Sequence, residues 1–374
     1  MNKNDYTYEV SAAGRVNIIG EHIDYCGGKV LPAALSLKNT VYIRPNGTDK
    51  INIEWSTLPN KVSIDINNLE NYRHLKYGNY QAGCALELQK AGHKLVGCDM
   101  YQDCTVPFGS GLSSSAAIEV STIAALATVA GEKIDPVSIA LMAQQAEHNY
   151  AGVNCGIMDQ YASACGKKDM AMLLDCKTLE CEYIPFDLGD YSLVIADCNK
   201  PHSLTVSKYN ERRNETERAL AILQKRLDIN CLADVTLAQF SKYEYMLPQP
   251  LRKRAAHVIN ECQRVNVAEQ ALRVGNIELL GRLLNLSHAS LKNLYETTGK
   301  EADALVEAAQ SHPACIGSRL TGGGFGGSTI SIVRREYVDE FCEYVFKRYE
   351  EATGYAAKFY NTLISDGIVV SLIN

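Results

Sequence analysis

The chain has 374 residues, with 37 lysines and arginines against 43 aspartates and glutamates, so its formal net charge is −6. That length is about twice a mean domain, and apolar residues make up 46% of the chain, enough for a hydrophobic core. These values exclude a disordered or fibrous chain, and an acidic balance without a basic tract argues against nucleic acid as a partner.

The sequence contains no long apolar run, and residues 1–10 lack the apolar segment of a signal peptide. We therefore expect a soluble, cytoplasmic protein with no membrane partner. The thirteen cysteines are scattered without paired C-x-x-C motifs, which favours reduced, mostly buried thiols. A zinc site and a disulfide framework are the alternatives.

The first third of the chain is predicted to be rich in strands. Residues 40–44 and 51–55 alternate around the turn Pro45-Asn46-Gly47, a pattern typical of a β-hairpin. Helical spacing predicts a helix over 79–91. A strand over 97–106 then leads into a cluster of glycines and serines.

The rest of the chain is predicted to change from strands to helices. Asp135 and Pro136 form an N-cap signal for a helix that continues to Tyr150 and ends at Gly152. Strands are predicted over 176–181 and 192–196. The long helical patterns that follow cover residues 207–226, 251–274, 277–294, 300–310 and 337–353. This change predicts a domain boundary that divides residues 1–180 from residues 181–374.

The densest motif is Val-Pro-Phe-Gly-Ser-Gly-Leu-Ser-Ser-Ser-Ala-Ala at 106–117, which we call the phosphate loop. A glycine-rich turn feeding a helix N-terminus presents N–H groups and the positive end of the helix dipole, which suit phosphate. Ser113, Ser114 and Ser115 can cap the helix, bind phosphate or ligate a metal. No lysine follows the glycines, so this is not a Walker A motif. A simple serine-capped helix is the alternative.

A second motif, residues 14–28, packs Arg15, Glu21, His22 and Asp24 into ten residues flanked by glycines, and we call it the sugar loop. Several donors and acceptors in one loop suit a polyhydroxylated ligand, whose analogues are rejected by leaving hydroxyl partners unpaired. A solvated surface turn is an equal alternative. A metal site is a weaker one, because Glu21, His22 and Asp24 lack the usual ligand spacing.

A third motif, residues 318–328, places five glycines within six residues ahead of an apolar run, and we call it the glycine loop. It predicts either a tight turn or a backbone held close to a ligand. Two single carboxylates also stand out. Asp159 is interpreted as a base or as an ordinary helix N-cap, and Glu147 as an inward metal ligand or a solvated helix residue.

The order and content of the three loops resemble the GHMP kinase superfamily, and within it the galactokinases. The resemblance runs nearly from end to end, through segments 14–32, 92–101, 155–160, 207–213 and 321–327. It implies an α+β fold of two domains with the active site in the cleft between them. Residues 1–180 would form the N-terminal domain with the sugar and phosphate loops, and residues 181–374 the helix-rich C-terminal domain with the glycine loop.

The resemblance also implies roles for individual residues. Asp159 faces the anomeric hydroxyl of the sugar, with Arg15 beside it, and these two are the catalytic pair. By this resemblance Mg²⁺ would be held by Ser114 and Glu147. The nucleotide phosphates are bound by Gly109, Ser110, Gly111, Leu112, Ser113, Ser114 and Ser115. The sugar-binding positions are Glu21, His22, Asp24, Gly156, Asp159 and Tyr209.

The activity implied is ATP-dependent phosphorylation of the anomeric hydroxyl of α-D-galactose, with Mg²⁺ as cofactor and galactose and ATP as partners. The alternatives are a sugar 1-kinase for N-acetylgalactosamine, L-arabinose or galacturonate, and a non-catalytic galactose sensor. Ile23, Cys26 and Pro201 stand where the family usually has threonine, asparagine and arginine, which leaves the exact sugar open. We expect a monomer or a weak dimer.

Overall fold

The computed structural model describes residues 1–200, 205–360 and 362–373, so the departure at Pro201 lies outside the described residues. The strands in these ranges are β1 (Tyr8–Asn17), β2 (Lys29–Val30), β3 (Pro32–Pro45), β4 (Lys50–Trp55), β5 (Val62–Asp65), β6 (Cys98–Cys104), β7 (Met170–Asp175), β8 (Cys181–Pro185), β9 (Tyr191–Asp197), β10 (Cys315–Thr321), β11 (Ser328–Arg334), β12 (Lys358–Tyr360) and β13 (Val369–Leu372). The α-helices are α1 (Asn79–Lys90), α2 (Ser114–Val129), α3 (Pro136–Ala146), α4 (Met158–Cys165), α5 (Thr205–Leu223), α6 (Leu237–Tyr243), α7 (Leu251–Arg273), α8 (Ile277–Ser290), α9 (Lys300–Gln310) and α10 (Val338–Thr353).

The strands form three mixed or antiparallel sheets. The largest has the order β13-β1-β3-β6-β4-β5, and helix α2 packs against its strands β1 and β3. A second sheet has the order β10-β11-β9-β12 and is packed by α8 and α9. The third joins β2, β7 and β8. Helices segregated on mixed sheets confirm the predicted α+β class.

The predicted hairpin between residues 40–44 and 51–55 is wrong. Both segments are strands, but β6 lies between them, antiparallel to β3 and parallel to β4. The turn signal marks where the chain leaves β3. On the side away from β1, the strand that pairs with β3 is β6, which comes from more than forty residues further along the chain. A local turn pattern cannot reveal a strand inserted by a later segment.

A second strand prediction, over residues 176–181, is also wrong. Residues 176–180 form the turn that joins β7 to β8, and only Cys181 belongs to a strand. The predicted helices agree closely with α1, α3, α5, α7, α8, α9 and α10. Two of them continue into a wider π-helical turn, α3 through Glu147–Ala151 and α8 through Leu291–Tyr295.

Two general expectations can be compared with the fold. All thirteen cysteines are free thiols, but only Cys26, Cys84, Cys98 and Cys198 are buried, so the expectation of mostly buried thiols is wrong. No helix in the described part of the chain has the length and apolar character needed to cross a membrane.

Candidate active site

Arg15 enters the site from β1, directly after an irregular step in its pairing with β3. The pairing of β1 with β3 shifts register between Ala13 and Arg15, because β1 advances two residues there while β3 advances four, from Lys38 to Ala34. A Cβ on Gly14 would lie 2.9 Å from the carbonyl oxygen of Leu112, so only glycine lets β1 approach the phosphate loop this closely. The backbone N–H of Arg15 donates to that same carbonyl at 3.1 Å. The close approach at Gly14 and the hydrogen bond of Arg15 therefore join the sugar-loop strand to the phosphate loop.

The Arg15 guanidinium forms a bidentate ion pair with the Asp159 carboxylate. Nε donates to Oδ1 at 2.7 Å and Nη2 donates to Oδ2 at 2.8 Å, while Nη1 donates to the carbonyl of Gly111 at 2.6 Å. Burial would lower the pKa of Arg15, but the charges of Asp159 and Glu21 outweigh it and hold the pKa above its ordinary value. The sequence-predicted catalytic pair is thus brought together in bidentate geometry.

Asp159 is not a helix N-cap, because Ile157 occupies that position of α4. Its carboxylate instead receives a third donor, the hydroxyl of Ser113, at 2.5 Å from Oδ2. Three donors from two different segments fix the orientation of one carboxylate. This arrangement favours the active-site interpretation of Asp159 over the capping interpretation.

The phosphate loop presents its helix N-terminus uncapped by any side chain. Ser113 is the N-cap residue of α2 and has a left-handed φ of 60°. Its hydroxyl donates a hydrogen bond to Asp159 and makes no capping hydrogen bond to the helix. The first N–H groups of α2 therefore have no side-chain cap, and residues 113–115 at this helix end line the cavity described below, an arrangement that suits an anion. Two residues of the predicted phosphate-binding set point elsewhere: Ser110 donates its hydroxyl to the Pro107 carbonyl at 2.8 Å, and Leu112 is buried in the core.

The sugar loop buries its charged residues instead of exposing them, which excludes the solvated-turn alternative. Glu21, His22 and Asp24 are all less than a tenth exposed. The His22 ring lies between Tyr209 and Tyr295, at centroid distances of 5.4 Å and 4.8 Å, and burial lowers its pKa to about 3. His22 is therefore a neutral hydrogen-bonding group at ordinary pH.

Asp24 is packed under the backbone of Gly156. A Cβ at residue 156 would lie only 1.9 Å from Asp24 Oδ2, so the site requires glycine there. Burial, followed by the nearby charge of Asp159, raises the pKa of Asp24 to about 7. The ionised form of such a buried carboxyl group is stabilised when a ligand hydroxyl donates a hydrogen bond to it.

Glu147 is the first residue of the π-helical turn and is buried. Gln160 donates to its Oε2 at 2.6 Å, and the Cys155 thiol lies 3.6 Å from the same oxygen. Burial and the charge of Asp159 raise the pKa of Glu147 to about 7, partly offset by the Ser115 hydroxyl. Within the described residues no salt bridge involves Glu147. A buried carboxylate beside hydroxyls, without a cation of its own, suits a hard divalent ion.

These groups meet in one cavity of about 340 Å³. The predicted site residues that line it are Arg15, Glu21, His22, Asp24, Gly109, Gly111, Ser113, Ser114, Ser115, Glu147, Asp159 and Tyr209. Gly322 and Gly323 of the glycine loop close one wall, which favours the ligand-loop interpretation of that motif. Of the described lining residues, Arg15 alone has a cationic side chain, against four acids.

A second cavity of about 500 Å³ adjoins the first and was missed by sequence reasoning. The two cavities share Tyr80, Gly109, Ser114 and Ser115. Its wall carries Trp55, Tyr77 and Phe108, and the Phe108 side chain is 63% exposed. The sequence signal that could have indicated this cavity is Phe108, an aromatic residue between Pro107 and Gly109 of the phosphate loop.

Comparison with family models gives matches in three parts of the chain. The model described as GHMP kinases N terminal domain matches residues 79–167, and the model described as GHMP kinases C terminal matches residues 268–351. The model described as Galactokinase galactose-binding signature matches residues 2–45, which include the sugar loop.

Known proteins are similar over almost the whole length. The chain is 42% identical to a galactokinase of Clostridium tetani, covering 95% of this chain and 91% of the relative, and 41% identical to a galactokinase of Limosilactobacillus reuteri, covering 95% and 93%. The fold is similar to the crystal structure of Lactococcus lactis galactokinase complexed with galactose, with a TM-score of 0.94, 38% identity, and coverage of 97% and 95%. Methanococcus jannaschii mevalonate kinase has the same fold, with a TM-score of 0.70, 18% identity, and coverage of 96% and 98%.

Proposed function

Because the chain belongs to the galactokinase family of the GHMP kinases, we propose that it transfers the γ-phosphoryl group of ATP to the anomeric hydroxyl of α-D-galactose. The products are galactose 1-phosphate and ADP. The observation that carries this proposal is the Asp159 carboxylate, held by Arg15 and Ser113 between the acids of the sugar loop and the N-terminus of α2.

The chemistry follows from the residues around Asp159. The sugar oxygen O1 forms a bond to the γ-phosphorus, the bond from that phosphorus to the bridging oxygen of ADP breaks, and Asp159 takes the hydroxyl proton. Arg15 keeps the carboxylate in place, and its charge stabilises the negative charge that develops on the transferring group. Positioning of this kind supplies much of the barrier reduction in phosphoryl transfer.

The first cavity divides between sugar and phosphates. Glu21, His22 and Asp24 accept from or donate to sugar hydroxyls beside Tyr209 and Gly156. The backbone of the phosphate loop and the hydroxyls of Ser114 and Ser115 bind the nucleotide phosphates. We propose Ser114 and Glu147 as the Mg²⁺ ligands, with Ser115 as the neighbouring hydroxyl. Bound Mg²⁺ supplies positive charge to the phosphate oxygens.

The second cavity is proposed to hold the adenine base. Aromatic side chains such as Trp55, Tyr77 and Phe108 stack on a purine. Asn39 lines the same cavity, and within the described residues its side-chain oxygen Oδ1 is buried without a hydrogen-bond partner. An unpaired acceptor matches the exocyclic amino group of adenine.

The sugar is tested by an ADP-release assay over a panel of hexoses, pentoses and uronic acids. We expect galactose to have the highest kcat/KM. A uronic acid is disfavoured because the described lining carries four acids against the single cation Arg15. If another sugar of the panel were strongly preferred over galactose, the galactose assignment would fail while the sugar kinase assignment would stand.

We also propose the division into residues 1–180 and 181–374. The two GHMP kinase models match on opposite sides of residue 180, and the sheet β10-β11-β9-β12 lies wholly in the second part. Two strand pairings cross this division, β7 with β8 and β1 with β13, as does an isolated bridge between Leu35 and Ile364. A monomer or weak dimer is proposed because one chain supplies the whole described lining, and a cytoplasmic location because ATP and thirteen free thiols suit a reducing compartment.

A further inference from the structure

Arg319 is among the largest fully buried side chains of the protein, and it lies behind the sugar loop. It projects from β10, in the part of that strand that belongs to the glycine loop, three residues before the first glycine at 322. Its Nη2 donates to Oε1 of Glu21 and, at 3.0 Å, to the backbone carbonyl of Asn17. Its Nη1 lies 3.4 Å from the Ser287 hydroxyl and 3.9 Å from a Glu261 oxygen. Arg319 therefore joins four segments of the chain without reaching the cavity itself.

Oε1 of Glu21 accepts hydrogen bonds from protein groups on the side away from the cavity. Besides Arg319, it accepts from the Thr321 hydroxyl at 3.2 Å and from the Gly322 backbone N–H at 2.8 Å. The other oxygen, Oε2, has no hydrogen bond to any described residue, and Glu21 lines the cavity. One carboxylate thus has an anchored oxygen and an oxygen left for a ligand.

The anchor also joins the two loops that face each other across the cavity. The Thr321 hydroxyl lies equally close, at 3.2 Å, to the carbonyl of Asn17, so its one proton is shared between that carbonyl and Glu21, and its oxygen accepts from the Asn17 backbone N–H at 3.2 Å. The end of β1 and the end of β10 are therefore held together by Arg319, Thr321 and the Glu21 carboxylate. Lysine could not replace the arginine here, because a single ammonium cannot span the separated acceptors that the planar fork reaches.

A buried arginine can contribute to folding stability without any role in ligand binding. The contacts of Arg319 distinguish these two roles. Every charged contact of Arg319 is to Glu21 or Glu261, and the Glu21 contact ends on the oxygen turned away from the cavity. We infer that Arg319 is a positioning residue for the sugar: it holds the Glu21 carboxylate so that Oε2 faces a sugar hydroxyl. This inference rests on the proposed function.

The test measures galactose binding to the protein by calorimetry, together with the KM values for galactose and ATP. The variants are Arg319→Lys, Glu21→Gln and the double variant. We expect Arg319→Lys to weaken galactose binding about tenfold to a hundredfold, as loss of a charge-assisted anchor predicts, and to change the KM for ATP by less than about twofold. The double variant should bind galactose no more weakly than Glu21→Gln alone.

The matched control is Arg254→Lys. Arg254 is also a buried arginine, with contacts to Glu215 at 2.7 Å and Glu296 at 2.9 Å, and none of its partners lines the cavity. It should lower the melting temperature without weakening galactose binding. If Arg319→Lys does not fold, Thr321→Val removes a neutral donor from the same Glu21 oxygen and should weaken galactose binding about threefold with ATP unaffected.

Two results would overturn the inference. The first is a folded Arg319→Lys variant that binds galactose like the wild type, or, if that variant does not fold, a folded Thr321→Val variant that does so. The second is a loss of galactose affinity from Arg319→Lys that is equally large in the wild-type and the Glu21→Gln background. A wild-type protein that binds no galactose would instead overturn the proposed function.

Discussion

Replacing Asp159 by alanine removes the group on which the proposed chemistry depends. Three hydrogen bonds are lost, two from Arg15 and one from Ser113, at 2.7, 2.8 and 2.5 Å. Loss of a general base costs about 10²- to 10⁴-fold in rate. We therefore expect kcat for galactose to fall at least about 100-fold, while nucleotide still binds through the phosphate loop.

The same change leaves Arg15 buried without its partner. Breaking a buried pair costs about 3–5 kcal/mol, but the Asp159 side chain is 27% exposed, so a loss nearer about 2 kcal/mol is expected. The double variant Arg15→Met with Asp159→Ala removes both charges, and it should recover part of that stability without recovering turnover. Recovery of activity together with stability would show that the single variant fails by unfolding.

The assay is steady-state ADP release, with the melting temperature and ATP binding measured on each variant. Asp99→Ala is the matched control: Asp99 is 28% exposed and accepts two bonds from Arg44, but it lies outside the site cavity. It should lose stability while kcat stays within about twofold, since no reacting group changes. Near-normal turnover by a folded Asp159→Ala would refute the role given to this carboxylate.

Glu147→Gln should raise the Mg²⁺ concentration for half-maximal rate about tenfold or more, because an amide is a poorer ligand than a carboxylate; an unchanged Mg²⁺ titration would contradict this. Asp24→Asn should stabilise the ligand-free protein at high pH. The difference between about 7 and the ordinary pKa of 3.8 is worth up to about 4 kcal/mol. Folded wild type holds that proton after the unfolded chain has released it, so stability falls as pH rises between these values, and the advantage of the Asp24→Asn variant in melting temperature should grow from about pH 5 to about pH 8. An advantage independent of pH would exclude the raised pKa. Phe108→Ala should raise the KM for ATP about 5- to 50-fold, as loss of one stacking partner predicts, and leave the KM for galactose unchanged; the reverse pattern would remove the base from the second cavity.

Local patterns in the sequence predicted most of the helices and singled out the three loops that contribute to the first cavity, whereas Tyr209 was assigned to the site by resemblance alone. Asp135 and Pro136 mark the start of α3 because capping is a property of adjacent residues, and the Asp135 side chain does accept from the Ser138 N–H. The three loops could be recognised for the same reason: each carries its chemistry in a short segment. Their meeting in one cavity was implied by resemblance and not by spacing.

Features that depend on distant segments were not predictable from local pattern. The insertion of β6 between β3 and β4 shows no trace in the turn at Pro45. The anchoring of Glu21 by Arg319 joins residues about three hundred positions apart. The second cavity is likewise assembled from several separate segments. In each case tertiary packing, which a local window does not contain, decides the outcome.

The central claim is that the phosphoryl group goes to the anomeric oxygen of galactose. The most direct measurement is phosphorus NMR of the product formed from galactose and ATP, with 1-deoxygalactose run in parallel. We expect one product whose phosphorus couples to the anomeric proton, and no ADP release with 1-deoxygalactose. Phosphate on another carbon, or comparable ADP release from 1-deoxygalactose, would contradict the claim.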